Sequence, residues 1–238
     1  MRPLGKFRTA ESETLAYGER PAAGDADGLL VLHHGRGSDE RDLLGLADVV
    51  DPERRLHVVT PRAPWTFAGA PGYHWYAVPR VGYPDHDTFE RGFAALGAFH
   101  DELWQRTGIS PGRTVLGGFS QGATMSYAMG LSGARPTPGG LLIFSGFVPV
   151  VEGWSADPGH VRGLPLYVTH GRTDPVMDVA FARRARDLLT ESDAAIEYHE
   201  SDAGHLIDPA HIPGARSWLS ARELDWSSAR VSSTGARR

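Results

Sequence analysis

A chain of 238 residues, 41% of them hydrophobic, is long enough to bury one sizeable core and ordinary for a soluble globular protein. Its net charge of -5 argues against general nucleic-acid binding, and the absence of cysteine excludes disulfides, thiolate metal sites and a cysteine nucleophile. No apolar run approaches bilayer length, and Met1–Lys6 is not followed by the apolar core of a secretory signal, so a cytoplasmic protein without a membrane span is expected.

In chain order, short apolar runs predict strands at Thr14–Tyr17, Leu29–His33, Leu56–Thr60, Thr114–Leu116, Leu141–Phe144, Leu166–Thr169 and Ala195–Glu200. Several are continuously apolar, as strands buried on both faces of a parallel sheet are. Helical patterns fall between and after them, at Asp39–Val50, Thr88–Thr107, Gln121–Leu131, Val179–Thr190 and Ile212–Leu224. The alternation predicts an α/β fold: a mostly parallel central sheet, helices on both faces, right-handed crossovers. With no internal repeat and no linker, residues 1–226 form one predicted domain, and the small, polar, basic stretch 227–238 reads as a disordered tail. Pro61–Asp87 is the exception to the alternation. It is rich in Pro, Gly and aromatics and has neither helix nor strand period, and a stretch of that length inside one domain points to a functional loop.

Gly118-Phe119-Ser120-Gln121-Gly122 stands where a predicted strand gives way to a predicted helix. A serine on so sharp a turn takes a strained backbone, bulky neighbours would clash with strand and helix, and the hydroxyl is lifted clear of the sheet. A serine hydroxyl is a weak nucleophile and needs a general base, which needs an orienting partner. Loops at the carboxyl ends of parallel strands share one crevice, so the partners should follow later strands. Asp174 follows Leu166–Thr169, and His205, in a Gly-His turn, follows Ala195–Glu200. Asp178 is the competing carboxylate, otherwise read as a helix cap; Asp202 and Asp208 read as turn residues. His199, His57, His100 and His211 read as structural, and adjacent His33 and His34 would point to opposite faces of a strand, which argues against a metal site. The order Ser120, Asp174, His205 is that of an α/β-hydrolase triad. For the oxyanion, the backbone N–H groups of Gln121 and of Arg36, in the turn His34-Gly35-Arg36-Gly37, are the expected donors.

In these residues the chain resembles the phospholipase/carboxylesterase family of α/β-hydrolases, which includes the acyl-protein thioesterases. The matching motifs are His34–Gly37, Pro61-Arg62-Ala63-Pro64, Gly118–Gly122, Phe144-Ser145-Gly146-Phe147 with Pro149, His170-Gly171 with Asp174-Pro175-Val176, and Gly204-His205; together they extend over about Leu29 to Leu219. The resemblance implies an α/β-hydrolase fold without a large cap domain and a serine carboxylesterase that uses no metal or organic cofactor. Its substrate would be a small-molecule ester of small to medium size, and the protein would be a monomer or homodimer. Dienelactone hydrolases are similar in plan but use the cysteine that this chain lacks. An acyl thioesterase or lysophospholipase would use the same machinery, and a non-catalytic ligand-binding relative is the reading from another class.

Trp65, Phe67, Tyr73, Trp75 and Tyr76 crowd the long loop without a helical period. Two readings stand. Trp65, Phe67, Trp75 and Tyr76 line the substrate pocket with Phe147 and Met177, or the aromatics pack the loop onto the body. The aromatic loop makes the chain look more like a small bacterial carboxylesterase than a thioesterase acting on lipidated proteins.

Overall fold

The computed structural model describes residues 8–12 and 14–222. Eight strands form one sheet: β1 (Arg8–Glu11), β2 (Ala16–Arg20), β3 (Gly28–His33), β4 (Leu56–Pro61), β5 (Thr114–Phe119), β6 (Gly140–Phe144), β7 (Pro165–Gly171) and β8 (Ala195–Ser201). Their spatial order is β1-β2-β4-β3-β5-β6-β7-β8. The pairs β1–β2 and β2–β4 are antiparallel, and every pair from β4 through β3 to β8 is parallel.

Leu29 and Val31 of β3 face one layer, and Leu30 and Leu32 the other. That period of two, with apolar residues at every position, is why both faces must be covered. On one face lie α2 (His86–Thr107), α3 (Gln121–Leu131) and α5 (Val179–Glu191), which contribute Phe89, Leu96, Phe99, Met125, Tyr127 and Leu189 to the core. On the other lie α1 (Leu44–Val50) and a C-terminal helix, 212–222, which bury Leu46, Val50, Ala215 and Leu219. A one-turn helix, α4 (Pro158–Val161), precedes β7. The fold is the mostly parallel α/β sheet read from the sequence.

The chain goes from central β3 outward to β4, then returns to the other side of β3 as β5. At this reversal the loops leaving β3 and β5 part, and a crevice opens at the carboxyl ends of the strands. Ser120 follows β5 and His34–Gly37 follow β3, so the topology alone puts both at that crevice.

Three elements differ from expectation. β1 was not anticipated. The predicted helix over 39–50 begins only at Leu44, because the backbone before it is used elsewhere: the Glu40 carbonyl accepts from the Thr60 hydroxyl at 2.6 Å, and the buried Glu40 carboxylate grips Arg62 at 2.6 and 2.7 Å. The first predicted strand lies at Ala16–Arg20, two residues later than read. Residues 62–85 are irregular apart from isolated bridges such as Trp65 with His74, and α2 is capped by Asp85, whose carboxylate accepts from the Thr88 amide at 3.0 Å. The tail from 227 lies outside the described residues.

Candidate active site

Ser120 has φ 56° and ψ −118°, backbone that an L residue adopts only under constraint. The constraint comes from both sides. Its amide donates to the Phe144 carbonyl at 3.0 Å, and its carbonyl accepts from the Thr124 amide at 3.1 Å. The flanking glycines are required sterically: a Cβ on Gly122 would stand 2.0 Å from the His33 carbonyl oxygen, and one on Gly118 would stand 2.6 Å from the same atom. Any larger residue at either place would push α3 off β3.

Beneath this turn runs a buried polar chain. The Ser126 hydroxyl donates to the Gly122 carbonyl at 3.0 Å, so it accepts from His33 Nδ1 at 2.8 Å. His33 Nε2 is then left to accept from His100 Nε2 at 3.2 Å. Both rings are fully buried, and that burial holds them neutral: His33 well below the usual imidazole range, His100 at about 3. His34 is neutral for the same reason and takes another task. Its Nδ1 donates to the Gly35 carbonyl at 2.7 Å, and its Nε2 accepts from the Ala63 amide at 3.0 Å, tying the turn after β3 to the segment after β4.

The structure brings Ser120, His205 and Asp174 into one line. His205 Nε2 is 2.9 Å from Ser120 Oγ, and His205 Nδ1 is 2.7 Å from Asp174 Oδ2. The other Asp174 oxygen accepts from the Val176 and Met177 amides, each at 2.8 Å, so the carboxylate is fixed before it meets the imidazole. His170 supports the same loop by donating from Nε2 to the Met177 carbonyl at 2.7 Å. The Phe119 ring lies against His205, centroids 4.9 Å apart. The competing carboxylates are occupied elsewhere: Asp178 caps α5 through the Ala180 amide, Asp202 pairs with Arg172, and Asp208 accepts from the Ala210 amide.

Arg36 and Gln121 line the cleft that holds Ser120, and neither backbone N–H donates a hydrogen bond among the described residues. Two amides without an acceptor beside the Ser120 hydroxyl are available to donate to an oxygen atom placed there. The Gln121 side chain has a part that the sequence reading left out. Its Oε1 accepts from the Trp75 amide at 2.8 Å, and its Nε2 donates to the Tyr76 carbonyl at 2.7 Å, clamping the long loop over the start of α3.

That loop divides its aromatics. Tyr76 lines the cleft with Phe147 and Met177, together with Val78, Val81 and Tyr83, which loop sequence without periodicity did not single out. Trp65, Phe67 and Trp75 do not line it. Trp75 is fully buried and donates from its indole to the His34 carbonyl at 2.9 Å, Trp65 donates to the Thr88 carbonyl at 3.1 Å, and Phe67 packs on the His74 ring. These three hold the loop down, which is the packing alternative. The cleft volume is small, about 60 Å³. A larger depression of about 630 Å³, between the start of α2 and residues 151–158, contains none of the groups around Ser120.

A family model described as phospholipase/carboxylesterase matches residues 20–222. The putative hydrolase MhqD of Bacillus subtilis (strain 168) is 26% identical over 195 residues, 82% of this chain and 94% of that protein. Acyl-protein thioesterase 1 of Candida albicans is 27% identical over 188 residues, 72% of this chain and 81% of that protein. Among solved structures, esterase PE8 is similar with a TM-score of 0.72 and 31% identity, covering 85% of this chain and 96% of that one.

Proposed function

The chain belongs to the phospholipase/carboxylesterase family of hydrolases, and from that premise we propose that it is a serine carboxylesterase acting on small to medium esters through an acyl-enzyme on Ser120. The observation that carries the reading is the unbroken hydrogen-bonded line from Asp174 through His205 to Ser120. In this reading His205 Nε2 takes the Ser120 proton as Oγ attacks the ester carbonyl, and Asp174 keeps the proton on Nδ1 and stabilises the imidazolium. The oxyanion of the tetrahedral intermediate rests on the Arg36 and Gln121 amides. The alkoxide departs with the proton carried by His205. Water, deprotonated by the same imidazole, then releases the acid and restores Ser120. A cytoplasmic location and a monomeric or homodimeric state complete the proposal.

A second reading, an acyl thioesterase or lysophospholipase, is favoured by one feature. An apolar groove of about 560 Å³, lined by Val148, Val151, Trp154, Phe181 and Leu188, shares Gly82, Tyr83 and Phe147 with the cleft. A long acyl chain could leave the cleft along it. Hydrolysis of p-nitrophenyl esters from acetate to palmitate separates the two. The small cleft predicts kcat/KM highest for short acyl groups, whereas a steady rise to palmitate would shift the assignment to lipid-like substrates.

A further inference from the structure

Esters differ in what their acyl part carries, and this cleft is charged. Arg36 and Arg80 line it, and no acidic residue does. Neither guanidinium makes an ion pair or hydrogen bond among the described residues, although many arginines of this chain are paired, as Arg62 is with Glu40, Arg135 with Asp101 and Arg183 with Glu200. The carboxylates next in sequence to cleft residues are committed to other partners: Asp85 caps α2 and Asp178 caps α5. Arg80 stacks on Tyr83, its guanidinium carbon 3.6 Å from the ring centroid, which leaves the in-plane N–H groups free to donate. Arg36 stands close enough to Tyr76 and His74 to bias both rings electrostatically. Two exposed cations without an acidic partner beside one small cavity, in a chain of net charge -5, are available to an anion.

The side of the ester follows from the site. A leaving group must meet His205 Nε2 to be protonated, and His205 lines a separate depression with Phe119, Leu206 and Ile207. The cleft with the two arginines contains Ser120 and both free amides but not His205, so it receives the acyl part. Its volume of about 60 Å³ admits a chain of a few carbons.

We infer that the preferred substrates are half-esters of short dicarboxylic acids, with the free acyl-chain carboxylate held by Arg36 and Arg80 as Ser120 attacks the ester carbonyl. The inference rests on the esterase reading, and the test separates the two. Background-corrected kcat/KM is measured on the full chain for mono(4-nitrophenyl) glutarate and for its uncharged isostere 4-nitrophenyl 5-methylhexanoate. The anionic ester should be favoured about tenfold or more at low ionic strength, as a charge-assisted contact allows, and the preference should shrink as salt is added. Arg80→Gln and Arg36→Gln should each lower the ratio of the two values by about tenfold, and Arg80→Lys should restore part of it. Equal or better turnover of the uncharged ester overturns the inference and leaves the esterase reading standing. A preference that neither glutamine variant moves also overturns it. If neither ester is hydrolysed, the esterase reading fails and this inference fails with it.

Discussion

Asp174 divides its two oxygens between two tasks, one anchored by the Val176 and Met177 amides and one facing His205 Nδ1. An asparagine there can keep the anchored oxygen, but its amide nitrogen would face Nδ1 and favour the tautomer with the proton on Nε2, which cannot accept from Ser120. Asp174→Asn should therefore fold like the parent by circular dichroism and lose about 10⁴-fold in kcat with little change in KM. Unchanged kcat would remove Asp174 from the mechanism. At this scale, the positions that meet around Ser120 were legible because each sits in a turn whose residue types have a steric or hydrogen-bonding reason, Gly122 against the His33 carbonyl above all. The cleft wall at Val78, Val81 and Tyr83 was not. Its placement depends on contacts far apart in sequence, such as the Gln121 side chain with the Trp75 and Tyr76 backbone.

The strand β3 and the helices α2 and α3 are joined by the His33–His100–Ser126 chain, and that joint carries a pH dependence. Both rings have folded-state values depressed below the ordinary 6.5 or so, His100 to about 3, by burial first and for His100 by Arg135 next. Above pH 6.5 or so both states are neutral, and these rings add nothing to the pH dependence. Below it the unfolded chain takes up protons that the fold refuses, so stability falls as pH drops from about 6.5 towards 3, by up to about 1.4 kcal/mol per pH unit per histidine. In urea melts across that window, His100→Leu should give a shallower slope than the parent, and an identical slope would show that His100 is not held neutral. Most elements were readable from apolar runs of the right period. Those that were not have physical reasons: α1 is cut short by the Glu40 contacts with Thr60 and Arg62, and the antiparallel pairing of β1 with β2 at the sheet edge leaves a weak apolar signal.

Across the whole molecule, the reversal of strand order at β3 and β5 gathers parts separated widely in sequence: the turn at His34–Gly37, the elbow at Ser120, the Asp174 loop and the His205 turn. The alternation of apolar runs and helical patterns was sufficient to anticipate that these loops share the carboxyl edge of one sheet, whereas the strand order was not readable from it. The two sides of the site required the three-dimensional layout. Only there does the arginine-lined cleft separate from the depression that contains His205.

Turnover through an acyl-enzyme requires that Ser120 become acylated. The most direct measurement is intact-mass and peptide mass spectrometry after rapid acid quench of the protein with p-nitrophenyl butyrate, beside Ser120→Ala. A butyryl adduct is expected on the peptide containing Ser120 and absent from the variant, whose hydrolysis is lowered by at least about 10⁴-fold. An adduct on another residue, or a variant that hydrolyses the ester as fast as the parent, would contradict it.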